Sequence, residues 1–204
     1  MGLITLATDP FTRANSGTLG ANWTVSSTAQ GPIQIVSNQI QPVTPNIAAR
    51  EDYSAITWPT EQWCQATLIA SAATTTNGLR VRSTPNLVSA LLNSYEFIFP
   101  GATGVSKTVT LRKVVNSVTT NLTTASITTN VNDVFRLEIQ GTSLRCFQNG
   151  VGIVGLSATD SDLTTGDPGL TLFFSSGAAS QSIMDNWSGG TFGGNPLMMM
   201  GAGT

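Results

Sequence analysis

The sequence predicts an all-β protein, an antiparallel two-sheet sandwich with very little helix, and three observations carry that prediction. From Val134 onward, Phe135, Leu137 and Ile139 alternate with Arg136, Glu138 and Gln140, the period-two pattern that gives a strand one apolar and one polar face. Gly141-Thr142 and Asn149-Gly150 then punctuate further β-type runs, and Asn-Gly marks a tight hairpin because both residues tolerate positive φ. Finally, no stretch sustains a helical period over three turns; the best helical candidate, Ala48 to Ala55, is short and poorly capped.

Taken in order, residues 9 to 25 form a turn-rich segment that runs into a first strand at Trp23 to Val25. Gly31-Pro32 breaks the chain before Ile33 to Val36, and Ser37-Asn38 separates that run from Gln39 to Gln41, which reads as a hairpin. Pro42, Pro45 and Pro59 bracket a strand near Ala48 to Tyr53 and place it at an edge or at a crossing between sheets. Trp63 to Ala70 is the next strand. Asn77-Gly78 reads as a second tight turn, followed by Leu79 and Val81 on one face and Arg80 and Arg82 on the other. Tyr95 to Phe99, Val109 to Val115 and Asn121 to Ser126 continue the series, the last two rich in the Thr and Val that a pleated, half-buried surface favours. The meander from Val134 to Phe174 and a last strand at Ser182 to Trp187 bring the total to roughly a dozen, at the spacing of sandwiches and barrels. Residues 1 to 188 make one domain, and the Gly- and Met-rich residues 189 to 204 make a tail with the composition of a linker and an apolar plug.

Composition narrows the chemistry. Of 204 residues only 10% are charged, and 9 Lys and Arg against 11 Asp and Glu leave a net charge of -2, which gives no electrostatic footprint for nucleic acid or an anionic membrane. The chain has no histidine, so the commonest general base and the commonest metal ligand are both missing. Cys64 and Cys146 stand far apart with no Cys-x-x-Cys pattern, so they read as buried free thiols, with a cross-sheet disulfide as the alternative. The N-terminus has no positively charged region and too short an apolar run for a secretory signal, and no run reaches transmembrane length.

No catalytic set emerges. Glu51 and Asp52 are adjacent and point oppositely if extended, while Glu96 and Glu138 each stand alone on their strands, so the carboxylate pair of a glycosidase is not in view. Without histidine or a paired carboxylate, the polar face of Arg136, Glu138 and Arg145 loses its chemistry, and the meander reads as scaffold. Candidate ligand-binding residues are Arg80, Arg82, Glu96 and Arg112 as a polar patch on a sheet face, with Tyr53, Trp58 and Phe147 as candidate aromatic platforms for a sugar. No cofactor is expected beyond a candidate calcium loop at Asp160, Asp162 and Asp167. In the tail, Phe192, Leu197, Met198, Met199 and Met200 are candidates for docking into a partner's groove.

Asp9-x-Phe11-x-Arg13 with Leu19-Gly-x-Asn-Trp23, Arg136-Leu-Glu-Ile-Gln-Gly-x-x-Leu144 followed by Asn149-Gly150, Gly166-x-x-Gly169-Leu, and Asp185-Asn-Trp187 together form a recognisable pattern. Over residues 9 to 187 it resembles the concanavalin A-like lectin/glucanase (LamG-like) jelly-roll domains. The resemblance implies a jelly-roll sandwich whose first and last strands are neighbours, which would bring Trp23 towards Trp187. It spans glucanases, lectins, sugar-binding modules and phage modules. The glucanase Glu-x-Asp-x-x-Glu signature is absent, and no lectin metal site carries over residue by residue. The expectation is therefore a non-catalytic assembly protein, a phage virion component such as a capsid decoration or fibre-associated protein. Its expected partners are capsid proteins or further copies of itself, with a cell-surface glycan besides. The alternatives are a carbohydrate-binding module and a divergent glycoside hydrolase.

Overall fold

A computed structural model of the chain describes residues 2–26, 31–84, 91–101, 103–175 and 181–193. Fifteen strands run through these residues: β1 (Leu3–Asp9), β2 (Trp23–Val25), β3 (Ile33–Val36), β4 (Gln39–Pro42), β5 (Ala49–Tyr53), β6 (Gln62–Ser71), β7 (Thr75–Thr84), β8 (Asn93–Pro100), β9 (Ser106–Val115), β10 (Val118–Thr128), β11 (Val134–Gln140), β12 (Ser143–Gln148), β13 (Val151–Thr159), β14 (Asp167–Phe174) and β15 (Ser182–Phe192). They form two antiparallel sheets. The eight-stranded sheet has the order β13-β12-β11-β6-β15-β4-β3, and the seven-stranded sheet the order β10-β9-β8-β7-β14-β5-β2. β1 completes the larger sheet by pairing β15 beyond the end of β4, so that Asp9 lies opposite Trp187 and Leu3 opposite Phe192.

The two inner faces meet as the alternation predicts. Leu79, Phe97, Leu111 and Leu170 from the smaller sheet join Cys64, Phe135, Leu137 and Ile139 from the larger in one buried cluster, and Phe99 stacks on Phe135 at 4.2 Å. One end of the sandwich is closed by aromatics: Trp187 lies 4.9 Å from Trp23 and 5.1 Å from Tyr53, with Trp58 edge-on at 6.2 Å. Tyr53 and Trp58 are therefore core residues and cannot serve as sugar platforms. Cys64 and Cys146 are free and buried. Both sit opposite Leu137 on its two neighbouring strands, about 9–10 Å apart at two strand spacings, too far for a disulfide.

Four expectations need correction. The first strand is Leu3–Asp9 and not Trp23 to Val25. Asn77-Gly78 is no turn but the middle of β7, with neither residue at positive φ. Gly78 is required there because a Cβ would stand 2.6 Å from Ile98 Cδ1 and 2.8 Å from the Phe97 carbonyl oxygen. β5 is interior, paired with β14 on one side and β2 on the other. Gly189 to Phe192, assigned by composition to the tail, belong to β15. Phe192 is thus a strand residue; Leu197, Met198, Met199 and Met200 lie outside the described residues.

Candidate functional site

The predicted polar patch exists as a cross-strand row, but it is buried and bonded within the fold. Arg80, Glu96 and Arg112 are in register across β7, β8 and β9. Both Arg80 and Glu96 are 0% exposed. The Glu96 carboxylate takes Arg112 at 2.5 Å, Arg50 at 3.3 Å and Arg80 at 3.5 Å. Burial alone would raise its pKa, but the guanidiniums of Arg50, Arg112 and Arg80 outweigh that and hold it at about 2. Arg80 also bonds Asp52 at 3.0 Å, and the Ser26 and Ser83 hydroxyls donate to the same carboxylate at 2.8 Å each. Arg82 is not part of this row. A positive φ of 48° turns it away, and it donates to the Thr60, Leu163 and Gly141 carbonyls, tying three loops together. All four residues hold structure in place.

The calcium loop does not assemble either. Lys113 Nζ bonds Asp160 at 2.6 Å and Asp162 at 2.5 Å, and the Tyr95 hydroxyl donates to Asp160 at 2.6 Å. Asp167 starts β14, opposite Ser83 of β7. Among the described residues no three metal-ligating side chains converge. The Asp9 motif is likewise closed on itself: Asp9 accepts from Arg13 twice, from the Trp23 indole and from the Phe11 backbone. The 470 Å³ hollow beside it has its one carboxylate already fully engaged.

A groove lies elsewhere on the surface. On the outer face of the eight-stranded sheet, Leu3, Arg136, Glu138, Gln140, Arg145, Phe147 and Phe192 line a groove of about 250 Å³. Alternation builds it: the inward residues of β11 and β12 are Phe135, Leu137, Ile139, Leu144 and Cys146, so Arg136, Glu138, Gln140, Arg145 and Phe147 must face outward. Register then places Arg136 opposite Phe147 and Glu138 opposite Arg145. The Arg136 guanidinium carbon lies 4.3 Å from the Phe147 ring centroid and that of Arg145 5.6 Å, both within cation-π range. Arg136 Nε donates to Glu138 at 2.7 Å. Across β15, Phe192 and its partner Leu3 form the apolar wall. Phe147 is only 9% exposed and Glu138 7%, so what the groove offers a ligand is the pair of guanidiniums stacked on the ring and the apolar wall beside them. Phe147 alone among the three proposed platforms borders the groove, as the support beneath the guanidiniums rather than as a bare ring. The polar face of β11 and β12, read from sequence as scaffold, is its floor. Leu3 went unseen because β1 did, and Phe192 was named only as a docking residue of the tail because the end of β15 read as linker.

No family model and no curated protein matches the sequence. Solved structures do match over most of the chain. The carbohydrate binding module CBM66 from Bacillus subtilis superposes with a TM-score of 0.60 at 14% identity, covering 85% of this chain and 98% of that one. A Bacillus licheniformis beta-glucanase gives 0.57 at 13% identity, covering 91% and 97%. The exoplasmic/lumenal domain of VIP36, in a Ca2+/Man-bound form, gives 0.64 at 8% identity, covering 87% and 86%. The fold is the concanavalin A-like lectin and glucanase jelly roll. At these identities the likeness is one of fold, and lectins, binding modules and glucanases all share it.

Proposed function

We propose that this jelly roll is a carbohydrate-binding domain whose ligand lies in the groove over β11 and β12. The observation that carries the reading is the side-chain set at Phe147: a ring braced by Arg136 and Arg145, with Glu138 and Gln140 alongside. A sugar offers an apolar ring face and a rim of hydroxyls; Leu3 and Phe192 give the groove its apolar side and the guanidiniums over Phe147 its donors. That CBM66 is a carbohydrate binding module and that VIP36 was solved in a Ca2+/Man-bound form support the reading by analogy of fold. Catalysis finds less support, since Asp52 and Glu96, two acids of the smaller sheet, are both 0% exposed and ion-paired. The test is a glycan array with the wild-type chain and with Glu138→Gln and Phe147→Leu, each checked for folding by circular dichroism. Glycan binding that both variants weaken is expected; no binding, or binding that neither variant changes, removes the reading.

The second reading is the assembly role in a virus particle. It rests on β1, where Leu3, Ile4 and Leu6 are each more than 40% exposed along a strand paired on one side by β15, the kind of edge that invites a partner. A chain that sediments as a monomer and does not co-sediment with particles would remove it.

A further inference from the structure

We infer that the groove selects an acidic sugar and that Arg145 receives its carboxylate. The inference rests on the carbohydrate-binding reading and adds the class of ligand. Across the strands Glu138 lies opposite Arg145, yet its carboxylate is taken by Arg136 Nε at 2.7 Å. Arg145 is exposed and has no ion pair among the described residues; what holds its guanidinium is the 5.6 Å approach to the Phe147 ring. The groove therefore holds two guanidiniums against one carboxylate, a local charge of +1 on a chain whose net charge is -2.

A guanidinium presents paired N–H groups in a rigid fork that fits a carboxylate, and its stacking on an aromatic face fixes the plane of that fork in advance. Neutral sugar hydroxyls do not need such a fork. With two guanidiniums against one carboxylate the groove is one negative charge short, so the group that completes it is an anion. At about 250 Å³ the groove is smaller than the pockets that enclose drug-sized ligands. It therefore suits one sugar ring with a substituent, and among sugars the substituent that meets a guanidinium in its own plane is the carboxylate of a uronic acid. A sulfate ester shares the charge but is tetrahedral, so the two sources can be separated.

The experiment is titration calorimetry with three matched probes: a glucuronate-containing tetrasaccharide, the same tetrasaccharide with its carboxyls reduced to hydroxymethyl groups, and a sulfated form of the reduced one. The acidic form is expected to bind about ten-fold or more tightly than the reduced form, with the sulfated form between them. Arg145→Gln should erase that difference, and Arg145→Lys should restore only part of it, since lysine keeps the charge and loses the fork. Melting curves show whether each variant is folded, and Arg145, being exposed, is a mild site to change. Equal binding of the acidic and reduced forms, weakened in both by Phe147→Leu, overturns the acidic preference and leaves sugar binding standing. A preference that survives Arg145→Gln overturns the assignment to this residue. Binding of none of the three probes counts against both.

Discussion

Glu96 shows how far a residue's role depends on what folding brings to it. In sequence it is an isolated carboxylate on an aromatic-rich strand; in the fold it is the anion shared by Arg50, Arg80 and Arg112. The alternation that put Arg80 and Glu96 on one face was legible. Their burial was not, because Asp52, Ser26 and Ser83 reach the network from separate segments. A solvated row of these residues would contribute little to stability, whereas a buried one is intolerant of losing a member. Glu96→Gln leaves three guanidiniums without their shared counter-charge and is expected to cost about 3–5 kcal/mol of unfolding free energy in urea denaturation. A cost near that of an exposed pair, about 1 kcal/mol or less, would show that the network is not what holds this face.

At the scale of elements, the junction of β1 with β15 is where sequence and structure diverge most. Gly189-Gly190 looks like linker by composition, yet each glycine is set by a neighbour. A Cβ on Gly189 would meet the Trp187 and Trp58 rings at 2.9–3.0 Å, and one on Gly190 would stand 1.9 Å from the Ile4 carbonyl oxygen and 2.8 Å from Trp63. The glycines let β1 and the tryptophans lie flat on the strand. Gly190→Ala is therefore expected to destabilise the domain by about 1–3 kcal/mol, as overpacking does, and to speed amide exchange along Thr5 to Asp9. A linker glycine would tolerate alanine with no loss, so an unchanged melting temperature would refute the strand assignment. The same contrast explains which elements were readable. β11 to β13 announced themselves because Phe135, Leu137 and Ile139 alternate and because Gly141, Asn149 and Gly150 take positive φ in their turns. β1 did not, since Leu3, Ile4 and Leu6 are all exposed and show no apolar face. In β7, Asn77-Gly78 misled because the glycine makes room for Ile98, a reason that exists only once β8 is packed beside it. The groove was half legible for the same reason: Arg136, Glu138, Arg145 and Phe147 share a face by alternation alone, while its far wall comes from β1 and β15.

For the molecule as a whole, the absence of histidine leaves the pH dependence of stability to a few carboxylates whose environments the sandwich has changed. Glu51 points between the sheets from β5 and accepts the Ile33 backbone N–H at 2.7 Å, tying the smaller sheet to an edge strand of the larger. Burial pushes its carboxyl up to about 7, against the pull of that hydrogen bond. Burial likewise raises Asp167, with the Asp52 charge adding to it, to about 6. A carboxyl with a raised pKa holds its proton in the folded chain after the unfolded chain has released it. Its contribution is therefore complete below about pH 4.5 and is lost as pH rises through about 7. Glu96, held at about 2, acts in the opposite direction: its contribution is present above about pH 4.5 and disappears only as pH falls towards 2. Stability should consequently be highest near pH 4–5 and decline by on the order of 3 kcal/mol towards neutrality, because each tenfold rise in the proton affinity of the buried Glu51 carboxyl is worth about 1.4 kcal/mol. Urea midpoints measured at several values between pH 4 and pH 8 give the slope directly. In Glu51→Gln the amide oxygen can still accept from Ile33 without titrating, so the decline should flatten to the part left by the other carboxyls that burial raises, Asp167, Asp52 and Asp185. A profile that rises between pH 4.5 and 7, or one that Glu51→Gln leaves unchanged, would mean that the cross-sheet carboxyl is solvated and that the sandwich is open at this edge.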